Sequence, residues 1–187
     1  MTAMTTDAPA GLPRGRALTR ADLDAIPDDG YRYELIDGAL IVSPAPRIVH
    51  QVAVVRLLVT VEGARSDEFL ALTAPTDVVL ADDTVVQPDL IVARRSDFTD
   101  RDLPVAPLLA VEVLSPSTRG IDLLLKKDRL ERAGCRHYWV VDPDEPSITA
   151  WSLVDGGYQQ TGRATGDDPL EIVDPFVCTV IPSALLA

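Results

Sequence analysis

The chain divides into short apolar runs of strand length and two longer stretches in which apolar residues recur at helical spacing. The stretch 47–65 is too long for one strand, so its spacing predicts a helix. A second helix is predicted over 121–133, because Gly134 is a typical helix-stop residue. A short helix is predicted to begin at Thr19, which forms a capping-box pattern with Asp22.

Apolar runs bounded by turn residues predict strands along the rest of the chain. Asp37 and Gly38 separate the first two runs and form a strong hairpin signal. The run 108–114 is almost continuously apolar, as in strands that are buried on both faces. The predicted strands are residues 31–36, 39–43, 69–73, 76–80, 84–86, 89–93, 108–114, 138–141, 148–153, 158–161 and 170–173, and a polar loop is predicted over 94–102.

The order of the predicted elements is hairpin, helix, several strands, helix, strand and a small β tail. This order predicts a mixed α/β (α+β) fold in which one sheet is flanked by helices. The length of 187 residues predicts one domain over 18–187, and the composition of 1–17 predicts a flexible leader before it.

The charge balance limits the classes of function. The chain holds 17 basic and 29 acidic residues, a formal net charge of −12, which argues against a general nucleic-acid coat protein. No stretch reaches the roughly 20 apolar residues that span a bilayer, and residues 1–17 lack the apolar segment of a signal peptide. We therefore expect a cytoplasmic protein without a membrane contact. Cys135 and Cys178 lie far apart, which favours two reduced thiols, and no Cys/His spacing suits zinc.

Two acids interrupt the apolar strands. Glu112 lies in the middle of the run 108–114, where an unpaired carboxylate would cost several kcal/mol, so it should be paired, protonated or metal-bound. The alternative is a strand-end glutamate that faces solvent or an arginine. Asp89 opens the run 89–93, although an aspartate after Pro88 also suits a turn. Two acids on neighbouring strands would form an oxygen-rich site for Mg²⁺, to which the backbone carbonyl of Val113 would add a ligand.

Five short motifs surround these acids in the chain. They are YELIDG at 33–38, SPAP at 43–46, VVQPDL at 85–90, EVLSPST at 112–118 and YWVVDP at 138–143. This ordered series resembles the Uma-type restriction endonuclease family of the PD-(D/E)XK nuclease superfamily, and the resemblance covers about residues 20–180. It implies a restriction-endonuclease-like core with an extra N-terminal hairpin and C-terminal β strands.

The resemblance implies a Mg²⁺-dependent endonuclease, with Mn²⁺ able to substitute, that hydrolyses DNA and forms a homodimer. Asp89 and Glu112 would be catalytic and would hold the metal with the carbonyl of Val113. Glu34 would be a further metal-site acid or a structural partner of an arginine. The alternative is a catalytically weak or inactive nuclease-fold protein with a DNA-binding or regulatory role.

The lysine of the superfamily motif is displaced in this chain. Leu114 stands two residues after Glu112, where the superfamily has a lysine, and the Uma-type family takes its lysine from the following helix, here Lys126. The tyrosine that this family has four residues later is replaced by Leu130. The chain has only two lysines against 15 arginines, which hints at a task for a compact ammonium group.

Other charged residues have weaker expectations. Lys126 could instead form a helical i,i+4 pair with Asp122, and Lys127 is expected to be its solvated neighbour. His50 is expected on a helix surface or interface, with a minor catalytic contact left open. The candidate DNA contacts are Arg94, Arg95, Arg101, Ser117 and Arg119.

Overall fold

The computed structural model describes residues 12–13 and 15–187. Most of the predicted leader, 1–17, lies outside the described residues. Its described end contacts the first helix, because Arg16 donates two hydrogen bonds to the Asp22 carboxylate. That helix, α1, spans Arg20–Asp24 and begins with the predicted capping box of Thr19 and Asp22.

The central sheet has six strands, which are β3 (Phe69–Thr73), β6 (Leu90–Arg94), β7 (Leu109–Val113), β8 (His137–Asp142), β9 (Ser147–Val154) and β10 (Gly157–Thr165). Their order across the sheet is β10-β9-β8-β7-β6-β3. Strands β7 and β8 pair in parallel, and the other neighbours pair antiparallel. A parallel pair needs a crossover connection, and a helical segment supplies it here. The predicted mixed sheet flanked by helices is therefore confirmed.

The remaining strands form two smaller sheets, whereas the sequence predicted one sheet. These strands are β1 (Arg32–Ile36), β2 (Ala39–Ser43), β4 (Val78–Ala81), β5 (Thr84–Val86), β11 (Leu170–Ile172) and β12 (Cys178–Val180). The four-stranded sheet has the order β2-β1-β5-β4, and β11 pairs with β12. The predicted hairpin turn between β1 and β2 is present, with positive φ angles of 50° at Asp37 and 76° at Gly38. The sequence did not predict β12, which is only three residues long.

The two faces of the central sheet pack against different helices. Helix α2 (Ile48–Ala64) covers one face, where its Leu57 and Val61 join Val111 and Val113 in the largest apolar cluster. The other face carries Ala110, Leu114, Leu130 and Tyr138 in a separate cluster. This is the alternation that the run 108–114 predicts, and it puts Glu112 on the same face as Ala110 and Leu114.

The predicted helix 121–133 has two parts. Residues Ile121–Lys126 form a π-helical segment, which continues without a break into α3 (Lys127–Arg132). The helix ends as expected at Gly134, whose φ of 86° is easy for glycine only. Hydrophobic periodicity does not distinguish a π-turn from an α-turn, and π-turns within helices are frequent at functional sites.

Candidate active site

Strands β6 and β7 bring the two predicted acids together. Leu90 pairs with Val111 in an antiparallel register, so Asp89, one residue before Leu90, lies opposite Glu112. The backbone N–H of Val113 donates to Oδ2 of Asp89 over 2.8 Å, which fixes the orientation of that carboxylate. Both acids are buried, Asp89 at 4% and Glu112 at 1% exposure.

Lys126 extends from the π-helical segment into the same place. Its Nζ lies 3.1 Å from Oε1 of Glu112 and 2.9 Å from Oε1 of Glu34. The predicted helical pair is also present, with 3.7 Å between Nζ and Oδ1 of Asp122. Glu34 belongs to β1 of the smaller sheet, and its Oε1 also accepts a hydrogen bond from the backbone N–H of Gln87. The ammonium group therefore joins carboxylates from both sheets and from its own helix.

Two further side chains hold Asp89. The ring Nε2 of His50 lies 3.1 Å from Oδ2, and Nη1 of Arg32 donates to Oδ1 over 3.3 Å. The expectation that His50 lies on a helix surface or interface is wrong, because the side chain is buried. It belongs to the first turn of α2, which faces the beginning of β6.

Burial and neighbouring charges shift the pKa values of Glu112 and Asp89 in opposite directions. Burial raises the pKa of Glu112 well above its ordinary value of 4.5, the negative charges of Asp122, Asp89 and Glu34 add to this, and Lys126 opposes it. Burial also acts to raise the pKa of Asp89. The hydrogen bond and charge of His50, the charge of Lys126 and the N–H of Val113 outweigh it and lower this pKa to about 2.

Lys126 remains a cation in this environment. Burial alone would lower its pKa, but the charges of Glu112, Glu34 and Asp122 raise it above the ordinary value of 10.5. An ammonium group with a raised pKa is a poor proton acceptor at neutral pH. Its chemistry is therefore that of a fixed positive charge and hydrogen-bond donor.

The site opens into a cleft of about 420 Å³ that Asp89, Glu112 and Asp122 line together with Ser43 and His50. Several buried polar atoms here have no hydrogen-bond partner among the described residues. They are Glu112 Oε2, Glu34 Oε2, Arg32 Nε, Ser43 Oγ and His50 Nδ1. Unpartnered buried polar atoms are uncommon in folded proteins, so their concentration around one cleft indicates a ligand site.

The oxygen atoms of the site suit a hard divalent cation. The free Oε2 of the fully buried Glu112, beside Asp89, is the kind of donor that Mg²⁺ or Mn²⁺ prefers. No group of three or more His, Cys, Asp and Glu side chains within 12–13 and 15–187 is already arranged around a metal position. The cations that contact these carboxylates in the structure are Lys126 and Arg32.

The family comparison matches this chain over residues 20–180 to the model Uma2, described as "Putative restriction endonuclease". The chain belongs to the Uma2 family. The Uma-type resemblance and the nuclease-like fold that it implied are therefore confirmed. Among solved structures, the chain is similar to one described as "a putative nuclease belonging to DUF820" from Anabaena variabilis ATCC 29413. The TM-score is 0.74, the identity is 19%, and the similarity covers 90% of this chain and 97% of that one. A search of curated proteins gives no significant match.

The predicted DNA contacts of this Uma2 protein fall into two groups. Ser117 lines the cleft, and Arg119 follows two residues later and forms an ion pair with Asp142. Arg94 and Arg95 lie at the opposite end of β6 from Asp89, where they contact Glu68 and the backbone of Asp67. Arg101, also outside this cleft, pairs with Asp24.

The second lysine of the Uma2 protein, Lys127, is partly exposed and also contacts aromatic rings. The Nζ of Lys127 lies 4.4 Å from the ring centroid of Trp151 and 6.0 Å from that of Tyr158. The two adjacent lysines therefore point to different environments, one to the carboxylates and one to aromatic rings. Both lysines belong to one continuous helix, at the point where the π-helical segment passes into α3.

Sequence reasoning about this Uma2 chain missed Arg32 and Ser43. A usable signal existed for Arg32, because strand alternation places residues 32 and 34 on the same side of β1. Ser43 pairs with Arg32 across the hairpin register, so the same turn positions both.

Within the described residues, no helix is long and apolar enough to cross a membrane.

Proposed function

We propose that this protein is a divalent-metal-dependent endonuclease that hydrolyses DNA phosphodiester bonds. The observation that carries the proposal is the convergence of Asp89, Glu112 and Lys126 beside one cleft. Membership of the Uma2 family supports a nuclease. Two acids and a cation next to a space open to solvent are the groups that phosphodiester hydrolysis requires.

Asp89 and Glu112 would hold Mg²⁺ or Mn²⁺, together with the backbone carbonyl of Val113 and with Glu34 as a further acid. The unpartnered Oε2 of Glu112 supports this role. When bound, a divalent cation lowers the pKa of a coordinated water molecule and offsets negative charge on the phosphate. His50 and the N–H of Val113 both contact Oδ2 of Asp89, and this fixes how the carboxylate presents Oδ1.

Lys126 would orient the attacking water and stabilise the negative charge that develops on the phosphate. Its raised pKa argues against a role as the general base. Its contacts with Glu112 and Glu34 hold the ammonium group in one position, so little reorganisation is needed during the reaction. Ser117 and Arg119 would contact a neighbouring phosphate of the DNA backbone, because Ser117 lies in the turn that lines the cleft and Arg119 directly follows this turn.

The decisive experiment is nicking of supercoiled plasmid DNA with Mg²⁺, with Mn²⁺ and with EDTA. Asp89→Asn and Glu112→Gln should each lower the rate by at least about 100-fold without loss of folding, because each removes a charged ligand. Asp100→Asn is the matched control, since it makes the same chemical change at an exposed residue outside the site. Equal residual cleavage in all three variants would refute the assignment.

A non-catalytic DNA-binding or regulatory protein is the second candidate. The net charge of −12 and the replacement of the family tyrosine by Leu130 favour it. The two candidates differ in metal binding, because a ligand that binds only the folded state must raise its melting temperature. Millimolar Mg²⁺ or Mn²⁺ that leaves the melting temperature unchanged would favour the second candidate.

A homodimer is part of the proposal, on the strength of the family resemblance. Helix α2 presents three apolar side chains to solvent, Ile48, Val55 and Val59, which a second copy of the chain would cover. Light scattering coupled to gel filtration measures the mass directly. A monomer at concentrations of about 100 μM would remove this part of the proposal.

A further inference from the structure

Arg32 separates two cavities at the candidate site. It lines the cleft of about 420 Å³ that contains Asp89 and Glu112, and it also lines a neighbouring cavity of about 590 Å³ that includes Tyr31 and Tyr33. Its side chain is 26% exposed, whereas the carboxylates that it contacts are almost completely buried. The guanidinium therefore lies at the mouth of the site, between the acids and solvent.

The contacts of Arg32 are loose. Its Nη1 lies 3.3 Å from Oδ1 of Asp89, and its Nη2 lies 3.6 Å from Oε2 of Glu34, so each nitrogen reaches a different carboxylate. A well-formed arginine–carboxylate pair places two nitrogens on one carboxylate at about 2.7–2.9 Å. The Nε of Arg32 is buried and has no partner among the described residues.

Lys126 provides the contrast within the same site. Its Nζ is within 3.1 Å of two carboxylates, and its side chain is 1% exposed. Lys126 lines neither cavity, whereas Arg32 borders both and has free space beside its side chain. The site thus holds one enclosed cation and one cation at a cavity border.

We propose that Arg32 is the exchangeable cation of this site. Its guanidinium neutralises Asp89 and Glu34 in the metal-free protein, and it transfers to a phosphate of the DNA when a divalent cation is bound beside these acids. The inference rests on the proposed function, which it extends by adding a residue that contacts the substrate.

The physical reason is competition for the same oxygens. A divalent cation near Oδ1 of Asp89 would repel the guanidinium, and the two cannot occupy the same position. A phosphate is the alternative anion for Arg32, because the planar guanidinium donates two parallel hydrogen bonds to it. The second cavity, on the far side of Arg32, gives the side chain room to turn.

Metal binding without DNA provides the first test. Calorimetric titration with Mn²⁺ should show about tenfold tighter binding to Arg32→Gln than to the natural protein, because a competing positive charge is removed. Arg47→Gln is the matched control. Arg47 lines the same cleft but pairs with Asp144, so its substitution should change the affinity for Mn²⁺ less than threefold.

Cleavage of DNA provides the second test, in saturating Mn²⁺ so that metal affinity no longer limits the rate. Arg32→Gln should lower kcat by at least about tenfold, and Arg32→Lys should restore part of it. Weaker or equal Mn²⁺ binding by Arg32→Gln would overturn the exchange, and an unchanged kcat would overturn the transfer to phosphate. In both cases the proposed function would stand. Absence of Mn²⁺ binding by the natural protein would instead overturn the proposed function.

Discussion

The Nζ of Lys126 lies 3.1 Å from Oε1 of Glu112, although the two residues are 14 positions apart in the chain. The nuclease superfamily that the sequence resembles places its lysine two residues after the glutamate, on the same strand. In this chain the lysine that contacts the glutamate comes from a helical segment packed beside the end of the strand. The geometry of the charged groups is thus assembled from two elements, and each can be altered separately.

Loss of Lys126 should destabilise the fold. Lys126→Met leaves Glu112, Glu34 and Asp122 buried without their shared cation, and breaking a buried ion pair in this way costs about 3–5 kcal/mol. The free energy of unfolding in urea at neutral pH measures this loss. The loss should shrink as the pH falls, because protonated carboxyls no longer need the cation.

The neighbouring lysine supplies the control for this measurement. Lys127→Met removes only the contact of an ammonium with the rings of Trp151 and Tyr158, so we expect a loss of about 0.5–1 kcal/mol. Equal losses for the two variants would contradict the assignment of Lys126 as the charge that balances the buried acids.

Metal affinity should rise with pH. The pKa of Glu112 is raised above its ordinary value of 4.5, so a proton competes with the metal for this carboxylate. Asp89, with a pKa of about 2, is already ionised at every pH above the ordinary pKa of a glutamate. Titration with Mn²⁺ at increasing pH, from just above 4.5 upward, should show affinity increasing until Glu112 is fully ionised. A pH-independent affinity would show that Glu112 does not bind the metal in its charged form.

The two cysteines should differ in reactivity. Burial raises the pKa of the Cys135 thiol to about 11, whereas Cys178 is only half-buried and its pKa is also raised. A maleimide probe at neutral pH should label Cys178 at least about tenfold faster, because only the thiolate of an accessible cysteine reacts. Mass spectrometry of tryptic peptides measures both rates. In urea the two rates should become similar, and faster labelling of Cys135 in the folded protein would contradict its position.

Gly38 should tolerate no side chain. It has a φ of 76°, and a Cβ atom added there would lie 2.5 Å from Cβ of Ala17. Gly38→Ala adds a steric clash to the backbone strain. We therefore expect it to lower the free energy of unfolding by about 2–3 kcal/mol in total. Gly156→Ala tests the strain by itself, since its φ is 83° with no atom within 4 Å of the added Cβ, and about 1 kcal/mol is expected. Thermal unfolding of both variants gives the comparison.

The sequence predicts the acids of the site better than their partners. Glu112 is conspicuous because one carboxylate interrupts an apolar strand, and the observed pairing with Lys126 follows the family motif. His50 was misplaced because α2 is apolar around much of its circumference, so periodicity gives little indication of which side its first turn buries. The position of Lys127 over Trp151 depends on a contact between distant strands and helix, which local patterns do not contain.

Eleven of the twelve strands in the described residues are predicted, with errors of one or two residues at most ends and four at the end of β10, but β12 and the division into sheets are not. The run 31–36 has the same apolar character whether its neighbour is the central sheet or β5. Partner choice depends on the packing of the whole chain rather than on the residues of one strand. The same reason explains why Arg32, at the beginning of β1, was not associated with Asp89.

The position of Glu34 in the smaller sheet, with Glu112 in the central one, has a consequence for biosynthesis. A chain that has folded only one of these sheets holds only one of the two strand carboxylates that Lys126 brings together. Residue 126 also emerges from the ribosome after both acids. A nascent or partly unfolded molecule therefore lacks the assembled cluster of charges, and any activity that depends on this cluster begins only when both sheets and the helix are in place.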